Sequence, residues 1–210
     1  DVPGISEKSR TDPVVDGDRK TRGWMPRDWQ SEPFGSLPFA APFPRELIIP
    51  RSEWKDRVAE MEKTKTRVSD LLDQAGLPVK DQNGTNYCWI NAPTHCVEIA
   101  RVVQGEPMVI LSPASAGAQI KGYRNVGGWG TEGIRWIAEN GVCPVSAWPA
   151  NAINRQYATQ ENKALAMQYR VTEWYDLPAN NFDALFSCLL YRWPTAIGHA
   201  ADSPKRSTIA

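Results

Sequence analysis

The 210-residue sequence predicts an α+β fold, with helices through the middle of the chain and short β segments toward its end. Three observations predict it. Apolar side chains recur at helical spacing over 52–75, 88–103, 131–140, 159–168 and 181–191. Stretches at 170–174 and 194–198 suit short strands. Residues 1–45 hold seven prolines, which fix φ and remove donors, so that stretch forms neither a long helix nor a central strand.

The elements follow in order. Residues 1–45 read as a Pro-rich extended arm and 46–210 as one domain. Trp24, Trp29, Phe34, Phe39 and Phe43 suggest that part of the arm lies on a surface; a disordered tail is the other reading. Ser52 is a suitable N-cap, and Trp54, Val58, Met61, Val68 and Leu72 then form one stripe, interrupted once at Lys65. Gly76 and Pro78 stop that helix. The helix at 88–103 carries Trp89, Ala92, Cys96, Ile99, Ala100 and Val103 on one face, with Pro93 near its start. Gly141 closes the helix at 131–140, and Thr159 caps that at 159–168. Phe182, Leu185, Phe186, Leu189 and Leu190 supply the apolar face of 181–191.

Composition narrows the function. Lys+Arg and Asp+Glu are both 24, so neither a nucleic-acid nor an acidic-membrane partner is expected. The apolar runs are far shorter than the roughly 20 residues of a membrane helix, and no secretory leader is visible. Cys88, Cys96, Cys143 and Cys188 are irregularly spaced, with no CxxC, so no metal or cofactor is expected. They read as mostly reduced thiols of a cytoplasmic protein.

The chemistry gathers at Cys88. A thiol attacks as thiolate, and a helix N-terminus favours that form. Cys88 stands where a Gly-Asn-containing turn gives way to an apolar helix, with Trp89 beside it. Gln82, six residues earlier, offers an amide that with a helix-start N–H would make an oxyanion hole. The plainer reading is a buried structural cysteine.

Leu77 to Trp89 resembles the active-site segment of papain-like cysteine peptidases, in which a Pro-Val-Lys-(Asn/Asp)-Gln stretch precedes a Cys-Trp pair by the same interval. Leu111-Ser112-Pro113-Ala114-Ser115, Gly127-Gly128-Trp129-Gly130 with Ile134 to Val142, and Trp148-Pro149 resemble later segments of that family, in order. The resemblance implies a papain-like α+β fold, with a helical half carrying the nucleophile helix and an incomplete β-barrel half. It implies Cys88 as nucleophile, Gln82 as oxyanion donor, and Gly127, Gly128 and Trp129 as cleft residues that bind a peptide or protein substrate. Glycine suits such a cleft because a missing Cβ lets an extended substrate approach. The reaction would be hydrolysis of a peptide bond through a Cys88 thioester. Thr85 departs from the pattern, standing where secreted members carry a disulfide cysteine.

Such a peptidase needs a histidine base and a group to orient it. His95 lies seven residues along the same helix, a rise of about 10.5 Å, out of reach of the thiol. His199 is the remaining candidate, 111 residues after Cys88, whereas in the family the base follows by roughly 130 or more. The expectation is therefore a truncated papain-like chain whose catalytic His and Asn belong to a C-terminal part beyond it. The alternatives are a non-catalytic papain-fold binding or structural module and, more distantly, another Cys-His acyl-transfer fold such as a cell-wall amidase.

Overall fold

A computed structural model describes residues 23–198. Its helices are α1 (Arg51–Thr64), α2 (Val68–Ala75), α3 (Cys88–Val103), α4 (Pro113–Ile120), α5 (Gly130–Asn140), α6 (Gln160–Ala166) and α7 (Phe182–Leu190). Four short strands pair in parallel, β1 (Trp24–Met25) with β3 (Gly128–Trp129) and β2 (Ala40–Pro42) with β4 (Trp174–Asp176). Among the described residues these two-stranded sheets form no closed barrel, and no helix is long and apolar enough to cross a membrane.

The chain divides into two compact units. Residues 23–27, 80–95 and 111–171 make up the first, which holds β1, the start of α3, α4, β3, α5 and α6. Its core is Tyr87, Trp89, Ile90, Leu111, Ala114, Ile137, Val142 and Trp148, all nearly inaccessible to solvent. Gly117 sets the spacing there: a Cβ would lie 3.0 Å from the Tyr87 ring and from Ile90, so glycine lets α4 press against the start of α3. The buried hydroxyls are satisfied locally. Ser115 Oγ donates to the Ser112 carbonyl at 2.7 Å and accepts from the Cys143 amide at 2.9 Å, which ties the start of α4 to the segment after α5.

Residues 28–79, 96–110 and 172–198 make up the second unit, with β2, α1, α2, the end of α3, β4 and α7. Phe43, Ala184 and Cys188 are buried at its centre, covered by Leu47, Tyr175, Leu177 and Trp193. Along α1, Trp54 packs on Phe186 of α7, with ring centroids 4.2 Å apart.

The helices at 88–103, 131–140, 159–168 and 181–191 form within a few residues of their expected bounds. Thr159 caps α6 by accepting from the Asn162 amide, and Gly141 ends α5 at φ 72°. The single helix expected over 52–75 is instead two. Lys65 adopts a left-handed conformation (φ 54°), and its amide bonds Met61 and Glu62 carbonyls, which closes α1. Asp70 then accepts from the Arg67 amide and opens α2. The helix starts at Arg51 rather than after a Ser52 cap. Of the strand expected at 170–174 only Trp174 is in one, at the start of β4 (Trp174–Asp176), and 194–198 carries no strand. Helix α4 was not foreseen, because its Ala, Ser and Gly residues carry no apolar stripe.

Candidate active site

A tight turn delivers Cys88 to the start of α3. Asn83 (φ 41°) and Gly84 (φ 79°) both take left-handed conformations, which Gly and Asn adopt most readily. The Thr85 amide and hydroxyl both donate to the Gln82 carbonyl, at 2.9 and 2.7 Å. Lys80 Nζ donates to the Leu111 carbonyl at 2.7 Å and Asn151 Nδ2 to that of Asp81 at 3.1 Å, which anchor the approach. Thr85, Asn86 and Tyr87 are buried, while Gln82 and Cys88 are half-buried. Thr85, at the position where the resemblance would put a disulfide cysteine, bonds within the turn, and none of the four cysteines is in a disulfide.

The sulfur of Cys88 feels two opposed influences. Burial pushes its thiol above the ordinary range, and this is the larger. Backbone hydrogen bonds from Gly23, Trp89, Trp24 and its own amide pull the other way. The expected helix-start effect is therefore present but outweighed. Burial raises the other three thiols too: Cys96 is pushed up to about 12, and Cys143 and Cys188 to about 11.

Two of those backbone donors come from the arm. β1 runs parallel to β3 with Trp24 opposite Gly128 and Met25 opposite Trp129. The Gly128 amide donates to the Gly23 carbonyl at 2.7 Å. Three backbones stack closely here. A Cβ on Gly23 would fall 1.7 Å from the Asn86 carbonyl oxygen, and one on Gly127 would fall 2.4 Å from the Gly23 carbonyl oxygen. The segment expected to receive a peptide therefore lies against the chain's own residues 23–25. The aromatic-rich composition of the arm hinted at surface packing, but nothing in it singled out Gly23.

Beneath β3 sits a half-buried cation. Lys121 Nζ lies 5.0 Å from the Trp89 ring and 5.3 Å from the Trp129 ring, and pairs with Glu132 at 2.5 Å. A Cβ on Gly128 would strike the Trp89 ring at 2.7 Å and Lys121 at 2.8 Å. β3 is thus packed from below by the residue that follows Cys88. Lys121 was not anticipated from the sequence, since a lone lysine after a helix reads as solvent-facing.

Cys88, Gln82, Gly127, Gly128 and Trp129 all fall in the first unit. His95 lies on α3, and it is the only histidine among the described residues. His199 lies outside the described residues.

No family model and no curated protein matches the chain. Two solved structures do. One is xylellain, a cysteine protease from Xylella fastidiosa, at 17% identity and a TM-score of 0.55, over 85% of this chain and 66% of that one. The other is procathepsin L 3 from the larval midgut of Tenebrio molitor, at 19% identity and a TM-score of 0.46, over 62% of this chain and 48% of that one. This chain spans just under two thirds of the length of xylellain. The order of helices around Cys88 and the likeness to xylellain lead to one statement of kind: this chain has the papain-like cysteine-protease fold.

Proposed function

We propose that this chain is a papain-like thiol peptidase that acts on peptide or protein substrates and is held latent by residues 23–25. In this reading Cys88 is the nucleophile. Its thiolate attacks a peptide carbonyl carbon, the tetrahedral oxyanion is held by Gln82 and a helix-start amide, and the C–N bond breaks as the amine leaves with a proton. Water then hydrolyses the thioester, returning the thiol and releasing the acid. Gly127, Gly128 and Trp129 hold the substrate as an added strand. His199 is the candidate base.

One observation carries the reading: an extended piece of backbone already pairs with Gly128–Trp129 beside Cys88. That is what a peptide-binding strand next to a nucleophile does. The thiols support it as well. Burial raises all four thiols, Cys96 to about 12 and Cys143 and Cys188 to about 11, and at Cys88 four backbone hydrogen bonds oppose it.

The test uses the folded chain carrying Gly23→Val, which displaces residues 23–25: alkylation by iodoacetamide at pH 8, mapped by peptide mass spectrometry, together with hydrolysis of an extended peptide. Cys88 is expected to label first, and Cys88→Ser and His199→Ala to abolish hydrolysis. Equal labelling of all four cysteines would overturn the nucleophile assignment. A second reading, a papain-fold module that binds peptides without cutting them, is favoured by His95 being the only histidine among the described residues. Fast Cys88 labelling and peptide binding without hydrolysis would establish it.

A further inference from the structure

The turn that carries Cys88 is fastened to the loop that leads into the cleft strand. The Asn86 amide donates to Asn125 Oδ1 at 2.6 Å, and Asn86 Nδ2 donates to the Asn125 carbonyl at 3.0 Å. Asn125 Nδ2 reaches the Gly84 carbonyl at 3.5 Å. Tyr87 Oη donates to the Arg124 carbonyl at 2.9 Å. Asn86 is 7% exposed and Tyr87 1% exposed, so these groups need protein partners. Asn86 Oδ1 is buried with no partner, which leaves Asn125 as the polar contact that orients this side chain. Asn125 itself is exposed and fills no core space.

The placement matters more than the count. Asn86 is two residues before Cys88, and Asn125 is two residues before Gly127. One side chain therefore sets the distance between the nucleophile turn and the strand that would hold a substrate. A small displacement of a reacting atom costs up to about a hundredfold in rate.

We propose that Asn125 is a positioning residue, which fixes the turn bearing Cys88 in register with the strand Gly128–Trp129. The inference rests on the peptidase reading and deepens it. Asn125 touches no reacting atom; it acts through Asn86.

The experiment compares two electrophiles on the full chain carrying Gly23→Val, which displaces residues 23–25 from the strand, each mapped to Cys88. Iodoacetamide needs only a reachable thiol. An extended peptide ending in an epoxide needs the thiol and the strand in register. The Gly23→Val chain should show a higher rate constant with the peptidyl epoxide. Adding Asn125→Ala should lower the ratio of the two rate constants about tenfold, while leaving the iodoacetamide rate near that of Gly23→Val alone. Asn125→Asp keeps the acceptor for the Asn86 amide and should restore the ratio. A ratio unchanged by Asn125→Ala overturns the proposal. So does a parallel change in both rates, since that is what general loosening produces. If the Gly23→Val chain itself shows no preference for the peptidyl probe, the peptidase reading fails and the register argument falls with it.

Discussion

The arm lends one strand to each unit, and the two strands are held in different ways. β2 and β4 pair over three residues, Ala40 to Trp174 through Pro42 to Asp176. Asp176 is 4% exposed, its carboxylate accepts from the Gly35 amide at 2.8 Å, and its carbonyl accepts from the Phe43 amide at 2.9 Å. Phe43 is buried edge-on to Tyr175, with centroids 5.7 Å apart. β1 and β3 pair in the same direction over two residues, and Trp24 and Met25 are only half-buried. A charged hydrogen bond and a buried ring fasten the first pair; backbone contact and the absence of Cβ atoms seat the second. Strand pairing alone therefore does not tell a structural join from a removable occupant. The side chains beneath the strand do.

The largest expected effect is on the firmer pair. Asp176→Ala removes a buried carboxylate and leaves the Gly35 amide without that acceptor. Charged hydrogen bonds contribute about 1.5–3 kcal/mol, so the urea midpoint should fall by an equivalent of about 3 kcal/mol. A variant as stable as wild type would show that β2 is no better fastened than β1, and the contrast would be lost.

Next is Gly23→Val. The Asn86 carbonyl oxygen stands where the new Cβ would go, so residues 23–25 must leave β3. The Gly23 and Trp24 amides bond Cys88 itself, and losing two such bonds at about 1 kcal/mol each corresponds to a rise of about 30-fold in Cys88 alkylation. The urea midpoint should stay close to wild type, since the departing Trp24 and Met25 are only half-buried. An unchanged alkylation rate would mean that the arm does not limit access to Cys88.

This contrast also explains what could be read in advance. α3 was legible to the residue because Cys88 to Val103 combines an apolar stripe with a turn before it. The break at Lys65 was not, since a left-handed lysine depends on the helix that follows rather than on its own propensity. The pairing of Trp24–Met25 and of Ala40–Pro42 was not legible. A two-residue strand has no period to detect, and its pairing depends on where Gly127 and Gly128 come to lie. Chemistry singled out Cys88, Gln82 and the Gly-Gly-Trp run in the sequence, and they fall in one unit. Asn125 and Lys121 were missed because each is a common surface residue until the fold gives it neighbours.

The smallest expected effect tests what lies beneath β3. Lys121 is 11% exposed and sits between two indole rings, with Glu132 as its ion-pair partner. Lys121→Met keeps the stem and removes the charge. Cation–π contact contributes about 0.5–1 kcal/mol at partly exposed sites, and Glu132, at 25% exposure, recovers some solvation. The net loss should be about 1 kcal/mol, confined to the first unit. Hydrogen exchange separates this from a global change. The Gly128 amide, which donates to Gly23 in the looser pair, should exchange about fivefold faster. The Phe43 amide, which donates to Asp176 in the firmer pair, should exchange at its wild-type rate. Lys121→Arg keeps the charge over both rings and should leave both amides unchanged. Equal acceleration at Gly128 and Phe43 would mean that the two pairs open together, and that β1 is not a separately removable strand.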